Sequence, residues 1–236
     1  MKLDCLVIAA HPDDAEISVG GTLLKLAQAG KKVGVVDVTR GELGTRGTAE
    51  DRAREAAAAS ELLGLSMRHN LDAGDGRVVV TPELRERLAA IIREHAPDVV
   101  LCHHTEDHHP DHAASGKLAR EAWYLAGLGR LAEQAGDAPA HRPKRIYEFL
   151  GHVPFDPTFV VDIEPVWEQK IALVQAYGSQ LAPLDESDEG GHLLFGADIL
   201  QRMETKARFF GERAGLRYGE PLLHRGPLPA FDPLLA

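Results

Sequence analysis

Short continuous apolar runs alternate along the chain with stretches in which apolar residues recur at helical spacing. Continuous apolar runs are typical of strands that are buried on both faces of a parallel sheet. The alternation of such strands with helices predicts an α/β fold, with a mostly parallel sheet and helices on both faces. Strands are predicted over residues 3–10, 33–38, 67–71, 98–102, 146–150 and 158–163.

Helix start and stop signals lie between these runs. Thr48 is placed to cap a helix that Gly64 ends, and Pro82 occupies the first position of another helix. We expect a polar connection between residues 125 and 146 and an irregular tail over 218–236. Because no repeat or boundary interrupts the pattern, we predict a single domain over 1–236. Helices are predicted over 21–29, 48–63, from 82 onward, and over 111–125, 164–177 and 196–210.

The composition is that of an ordinary globular protein, since 44% of the 236 residues are apolar and 26% are charged. The formal net charge of -10, with no compensating basic stripe, excludes a broad nucleic-acid-binding surface. No segment approaches the roughly 18 apolar residues of a membrane span, and the first apolar run is too short for a secretory signal. We therefore expect a cytoplasmic protein with no nucleic-acid or membrane partner, in which Cys5 and Cys102 are buried, reduced thiols.

Two motifs rich in histidine and aspartate each follow a predicted strand: His-Pro-Asp-Asp at 11–14 and His-His-Pro-Asp-His at 108–112. Ligands of open α/β sheets bind at the carboxyl ends of the strands, so we expect both motifs to face one crevice. A catalytic zinc ion commonly takes three protein ligands from histidine and carboxylate and leaves one position to water. The same ligand types also accept Fe²⁺ or Co²⁺. The predicted ligands are His11, Asp14 and His112.

The polar side chains beside these ligands suit the other steps of a hydrolysis. A bound zinc ion lowers the pKa of water and polarises a carbonyl group, but a base must still remove the proton. Asp13, next to a predicted ligand, is placed to be that base. His109 and His112 lie three positions apart, so one imidazole can reach the metal while the other faces the substrate. We expect Asp111 to accept a hydrogen bond from His109 and to favour its imidazolium form, which would stabilise an oxyanion and protonate a leaving amine.

Other interpretations of these motifs remain open. A lone His-Pro-Asp-Asp segment is more often a turn and a helix start than a metal site, so the metal hypothesis depends on the pairing of both motifs. We expect His103, His104 and His108 to be spectators, because a tetrahedral zinc site has no room for further protein ligands. A non-hydrolytic nucleotide-binding module would use the same sheet, but the first strand does not lead into Gly-x-Gly-x-x-Gly, and Gly20-Gly21 alone is a weak signal.

Residues 10–16 (Ala-His-Pro-Asp-Asp-Ala-Glu), taken with 109–112 (His-Pro-Asp-His), resemble the LmbE or PIG-L family of zinc-dependent N-deacetylases. Within the family, the chain is most similar to the bacillithiol-pathway deacetylases, which remove acetate from N-acetylglucosaminyl-malate. The resemblance covers nearly the whole chain. Further segments in family-like order are 39–44, 47–48, Arg52 with Glu55, 176–180 and 218–221.

The resemblance implies an activity and a role for each matching residue. It implies that His11, Asp14 and His112 are the zinc ligands and that Asp13 is the general base. It also implies that His109 is the acid and Asp111 its orienting partner. The implied substrate-binding residues are Arg52, Tyr177 and Gln180. Family members commonly assemble as hexamers, so a homo-oligomer is also implied. The hypothesis is a Rossmann-like metal-dependent deacetylase of a small N-acetyl amino sugar conjugate. A mycothiol precursor, a chitooligosaccharide and the amide of a thiol S-conjugate are the alternative substrates.

Overall fold

A computed structural model describes residues 1–44, 46–181 and 199–227 of the chain. Within those ranges seven strands form one sheet, namely β1 (Cys5–Ala9), β2 (Val33–Asp37), β3 (Met67–Asn70), β4 (Val99–His103), β5 (Arg145–Phe149), β6 (Phe159–Asp162) and β7 (Gly219–Leu223). Their order across the sheet is β3-β2-β1-β4-β5-β7-β6. Strands β1 to β5 pair in parallel, whereas β7 pairs antiparallel with both β5 and β6. The predicted mostly parallel α/β sheet is confirmed.

The prediction of an irregular tail over 218–236 was wrong at its start, where β7 lies between β5 and β6. Its sequence, Gly-Glu-Pro-Leu-Leu, does not resemble a buried strand because it contains a charge and a proline. The charge is buried because Glu220 accepts hydrogen bonds from the Gly21 and Thr22 amides and from Lys170 Nζ, at 2.9, 2.7 and 2.5 Å. The two amide bonds attach β7 to the first helix of the chain, and the Lys170 bond attaches it to the helix Trp167–Gln175. Residues 228–236 of the tail lie outside the described ranges.

Helices connect the strands, and most lie where the sequence predicts them. Thr48 forms a capping box with Asp51, and Gly64 adopts the left-handed conformation at the end of the same helix, as predicted. A helix that the sequence did not predict occupies part of the polar connection, and the start of the predicted 196–210 helix lies outside the described ranges. The helices are α1 (Asp14–Gln28), α2 (Ala49–Leu63), α3 (Pro82–His95), α4 (Pro110–Ala126), α5 (Gly129–Ala135), α6 (Trp167–Gln175), α7 (Gly178–Leu181) and α8 (Ile199–Arg213).

The helix predicted over 21–29 begins earlier, at Asp14, so the prediction was wrong at this boundary. The Gly20-Gly21 pair, which lowers helix propensity, hid the first half of α1. Both glycines are in close packing contact instead, since a Cβ atom at Gly21 would lie 2.7 Å from Ile163 Cγ2 and one at Gly20 would lie 3.1 Å from Leu173 Cδ2. They therefore bring α1 close to its neighbours and do not form a phosphate-binding loop.

The core consists of two apolar layers, one on each face of the sheet. Alternate residues of β1 point to opposite faces, so Val7 joins one cluster with residues of α1, α2 and α6, while Ile8 joins the other with residues of α3 and α4. The prediction of helices on both faces is confirmed. In the described part of the chain, no helix has the length and apolar character that crossing a membrane requires.

Candidate metal centre

The carboxyl ends of two neighbouring strands, β1 and β4, bring the two motifs together. His11 and Asp14 lie where β1 turns into α1, and His112 lies in the first turn of α4. Asp14 Oδ2 is 3.2 Å from His11 Nδ1, and Asp14 Oδ1 is 3.3 Å from His112 Nε2. One ligand atom from each of these three buried residues lies within 4.8 Å of the others. Side chains almost a hundred positions apart therefore meet at one point, as a shared cation requires.

The donor atoms of this cluster suit a divalent metal ion. Burial lowers the pKa of His11, but hydrogen bonds to Asp111, Asp14 and Asp75 outweigh burial and raise it from 6.5 to about 12. Burial and Asp14 oppose each other in the same way at His112, whose pKa rises to about 9. In the metal-free protein, a proton on each imidazole thus balances the carboxylates. A bound metal ion would replace those protons with its own charge, so two imidazoles and one carboxylate fit zinc or a related ion.

Further carboxylates lie behind both histidines, within hydrogen-bond distance of His11 Nε2 and 3.5 Å from His112 Nδ1. His11 Nε2 lies 3.1 Å from Asp75 Oδ1 and 3.4 Å from Asp111 Oδ2, which leaves Nδ1 directed at Asp14. His112 Nδ1 lies 3.5 Å from Asp107 Oδ1, which leaves Nε2 directed at Asp14. A carboxylate behind the imidazole is the usual arrangement around a metal-binding histidine, because it orients the ring and makes the ligand more basic.

The Asp111 side chain lies elsewhere than the sequence predicts. Its carboxylate contacts His11 and accepts hydrogen bonds from the Gly76 and Val78 amides at 2.6 and 3.2 Å. The expected hydrogen bond from His109 to this carboxylate is not formed; instead the Asp111 backbone amide donates to His109 Nδ1 at 3.2 Å. The reason is local, because the 76–78 turn presents two amides to the carboxylate at the start of α4. Asp111 therefore supports the metal-ligand side of the site.

His109 and Asp13 are placed beside the cluster at the edge of a pocket. The His109 ring lies 4.8 Å from that of His11 and 4.7 Å from that of His112. Burial lowers the pKa of His109, and the neighbouring His112 and His11 lower it further, so the neutral ring is favoured over the expected imidazolium. Burial raises the pKa of Asp13 to about 7, and the Arg52 guanidinium offsets only part of that effect. A carboxylate with a pKa near neutrality suits a general base.

The structure adds three residues that sequence reasoning did not select. His103, which was expected to be a spectator, is fully buried at the end of β4, with Nε2 3.2 Å from Asp14 Oδ2. Asp107 accepts hydrogen bonds from the His109 and His152 amides at 2.8 and 2.7 Å and contacts His152 Nδ1 at 2.7 Å. His152 in turn stacks on His112 with ring centroids 4.9 Å apart. Their positions in the sequence could have indicated two of them, since His103 is the last residue of a strand and His152 closely follows another strand.

His104 and His108, the other two predicted spectators, make no contact with the His11, Asp14 and His112 cluster among the described residues. His104 Nδ1 is instead 2.6 Å from Glu148 Oε2, which also accepts from Arg225.

Of the three predicted substrate-binding residues, only Gln180 lines the pocket in the described part of the chain. Its side-chain nitrogen donates to the Arg46 carbonyl at 2.9 Å. Tyr177 is 1% exposed and Arg52 is 4% exposed, so both lie beneath the surface of the pocket. The hydroxyl of Tyr177 is buried without a hydrogen-bond partner among the described residues.

The pocket has a volume of about 350 Å³ and opens directly beside the metal-ligand cluster. Asp13, Asp14, His109, His112 and His152 form its polar floor. Cationic side chains from other parts of the chain also line it, namely Arg46, Lys170, Arg202 and Lys206, of which Lys170 is paired with the lining carboxylate Glu220. The site thus combines acidic and imidazole groups at the centre with positive charge around them.

Comparisons with known proteins agree with this geometry. A profile of the family described as "PIG-L: GlcNAc-PI de-N-acetylase" matches residues 6–123, which contain both motifs. The crystal structure of the conserved protein TT1542 from Thermus thermophilus matches with a TM-score of 0.84 and 37% identity, over 98% of each chain.

Two curated relatives have different activities. The chain is 32% identical over 232 residues to diacetylchitobiose deacetylase of Thermococcus kodakarensis, covering 91% of this chain and 80% of that protein. It is 31% identical over 194 residues to 4-oxalmesaconate hydratase of Pseudomonas putida, covering 74% of this chain and 73% of that protein. The family profile, the relatives and the shared fold together show that the chain belongs to the PIG-L family of GlcNAc-PI de-N-acetylases.

Proposed function

We propose that this chain is a metal-dependent N-deacetylase of an N-acetylglucosamine conjugate, with N-acetylglucosaminyl-malate as its substrate in bacillithiol biosynthesis. The observation that carries the proposal is the meeting of His11, Asp14 and His112 at one point, with Asp13 and His109 beside them at the edge of a pocket. The reaction consumes water and an acetamide and yields acetate and a protonated amine.

The side chains divide the work of this hydrolysis. His11, Asp14 and His112 would hold the metal ion, which would polarise the acetamide carbonyl and lower the pKa of water. The Asp13 carboxylate, which lies next to the ligand Asp14 and lines the pocket, accepts the proton of the attacking water. His109 Nδ1 accepts a hydrogen bond from the Asp111 backbone amide, so the neutral ring carries its proton on Nε2. That N–H stabilises the oxyanion as a hydrogen-bond donor, and the leaving nitrogen takes the proton that Asp13 removed from the water, so His109 stays neutral and Asp13 is ionised again.

The charge of the pocket walls supports an anionic group next to the sugar. Arg46, Arg202 and Lys206 line the pocket around the acidic centre. Malate carries two carboxylates, which such side chains bind well. A neutral substrate such as diacetylchitobiose, named for the relative from Thermococcus kodakarensis, offers no charged group to these walls. We therefore place the malate conjugate before a mycothiol precursor, a chitooligosaccharide or a thiol S-conjugate.

The second candidate function is the hydration of a carbon–carbon double bond. It is favoured by the relative from Pseudomonas putida, a 4-oxalmesaconate hydratase that shares the same region of sequence. The same metal ligands and base serve the addition of water to an unsaturated acid, and the cationic walls suit its carboxylates. The two functions differ in whether an acetamide is consumed.

Acetate release from zinc-loaded protein tests the proposal. The substrates are N-acetylglucosaminyl-malate, diacetylchitobiose and N-acetylglucosaminyl-inositol, and 4-oxalmesaconate is supplied as the hydratase substrate. We expect the highest kcat/KM for the malate conjugate. We expect Asp13→Asn and His109→Ala to lower kcat by about 100-fold or more, since a general acid or base contributes on the order of 10²- to 10⁴-fold.

Asp98→Asn, which alters a partly exposed carboxylate paired with Lys144, is the control for these variants. Acetate release at the wild-type rate by the Asp13 and His109 variants would show that the assigned roles are wrong. Consumption of 4-oxalmesaconate without acetate release from any acetamide would establish the hydratase instead.

A single-domain chain that works in the cytoplasm as a homo-oligomer, a hexamer by family resemblance, is part of the proposal, and sedimentation of the purified protein tests the assembly.

A further inference from the structure

Helix α8 presents one face to the pocket beside the metal-ligand cluster. The pocket-lining residues of this helix recur three and four positions apart, and they are Ile199, Arg202, Met203, Lys206 and Ala207. Met203 and Ala207 are buried, so this face of the helix is held against the body of the protein. Lys206 lies on the same face and reaches the pocket from there.

The ammonium group of Lys206 is only partly satisfied by the protein. Its Nζ atom donates to the Gly151 carbonyl at 2.5 Å. Among the described residues Lys206 has no other hydrogen-bond partner and no ion-pair partner. An ammonium group carries three N–H donors. Two of them are therefore left for an acceptor that enters the pocket.

The other lysine in the described lining of the pocket differs in this respect. Lys170 Nζ contacts Glu220 Oε1 at 2.5 Å, and both side chains are 2% exposed. Glu220 also accepts hydrogen bonds from the Gly21 and Thr22 amides. The charge of Lys170 is therefore balanced within the protein, where it helps to hold β7. The charge of Lys206 faces only a neutral carbonyl.

Lys206 has also lost part of its hydration. Burial lowers the pKa of Lys206 from 10.5 to about 8, and the neighbouring Arg202 lowers it further. The side chain is still mainly charged at pH 7. A buried charge needs hydrogen-bonding partners in place of the lost water, and an anionic group of a ligand is the partner that binds an ammonium group most strongly.

The Gly151 turn places this ammonium group beside the metal ligands. A Cβ atom on Gly151 would lie 3.0 Å from His112 Nδ1. The next residue, His152, donates its amide to Asp107 Oδ2 at 2.7 Å. In a 2-acetamido sugar, the aglycone is attached to the ring carbon next to the one that carries the acetamide. With the acetamide at the metal ligands, a charged aglycone therefore lies close to Lys206.

We propose that Lys206 is the specificity-determining residue of the pocket, and that its ammonium group binds a carboxylate of the aglycone next to the acetamide. The inference rests on the proposed function, which brings the acetamide to the metal ligands. It selects 2-acetamido sugars whose aglycone is an organic acid and assigns their recognition to one side chain. Loss of a group that binds substrate and transition state equally raises KM and leaves kcat unchanged.

The first experiment compares N-acetylglucosaminyl-malate with its dimethyl ester, which has the same skeleton without the two charges. Acetate release is measured with zinc-loaded wild type and Lys206→Gln. For the malate conjugate, we expect Lys206→Gln to raise KM about 10- to 100-fold, as for the loss of a hydrogen bond to a charged group, with kcat within about twofold. For the diester, we expect kcat/KM to stay within about twofold of wild type.

The control is Lys117→Gln, which removes the same charge from a lysine of α4 whose side chain is 66% exposed. We expect wild-type constants from it with both substrates. An equal loss on the malate conjugate and on the diester in Lys206→Gln would overturn the proposal, because it would show a role in the fold or in the chemical step. An unchanged KM for the malate conjugate would overturn it as well.

A binding measurement separates this inference from the proposed function. Malate alone, without the sugar, is titrated into zinc-loaded protein by calorimetry. We expect wild type and Lys117→Gln to bind malate about tenfold or more tightly than Lys206→Gln does. If the wild-type protein releases no acetate from any acetamide, the proposed function fails and this titration alone decides. Weaker binding by Lys206→Gln would then support the inference, whereas equal affinities, or no binding by wild type, would overturn it.

Discussion

Replacing Asp107 by asparagine tests how the site holds its histidines. The carboxylate accepts hydrogen bonds from two backbone amides, contacts His152 Nδ1 at 2.7 Å and lies 3.5 Å from His112 Nδ1. Asparagine keeps the shape but offers one acceptor oxygen where the carboxylate offers two. At least one buried N–H is then left unpaired, which costs about 1–3 kcal/mol of folding free energy.

The same substitution should weaken metal binding. Partners behind a ligating histidine are worth about 10- to 100-fold in metal affinity, which corresponds to about 1.4–2.7 kcal/mol of binding free energy. We expect Asp107→Asn to lower zinc affinity by that factor in competition with a chromophoric chelator. Asp98→Asn, just before the start of β4 and so at the end of the strand opposite to the site, serves as control and should leave the affinity unchanged. Zinc affinity equal to wild type in Asp107→Asn would refute the view that Asp107 orients His112.

Two further outcomes follow from the charges of the fold. The pKa values of His11 and His112 are raised to about 12 and about 9, so both imidazoles are protonated at pH 7 in the metal-free protein. Zinc addition should therefore release about two protons, as measured with a pH indicator in weak buffer. Release of no protons would contradict this charge state. Glu220→Gln breaks the buried ion pair with Lys170, in which both side chains are 2% exposed, and should lower the free energy of unfolding, measured in urea, by about 3–5 kcal/mol. A loss below about 1 kcal/mol would show that other contacts hold β7 in the sheet.

Much of the fold was predictable because its central strand β1 is apolar throughout and its neighbours β2 and β4 are largely apolar. Strand β1 and the capped helix α2 lie where the pattern placed them, since burial on both sheet faces and the Thr48 cap leave local signals. The sequence of strand β7 contains no such local signal. Its buried Glu220 is stabilised by partners from α1 and α6, and Pro221 lies in the middle of the strand, so only tertiary contacts reveal it.

The site was predictable to the extent that its residues follow strands. His11 and His112 were found because the carboxyl ends of parallel strands face one crevice. The side-chain partners were not found, because hydrogen-bond choice depends on loops far away in sequence. The Asp111 carboxylate contacts the amides of the 76–78 turn, and Arg52 of α2 contacts Asp13. Neither contact leaves a spacing pattern.

A zinc-soaked crystal, measured at the zinc absorption edge, tests the central claim most directly. That claim is that His11, Asp14 and His112 hold one metal ion between them. We predict a single anomalous peak per chain, in contact with His11 Nδ1, the Asp14 carboxylate and His112 Nε2. A peak at another place in the chain, or crystals that take up no zinc, would contradict the account.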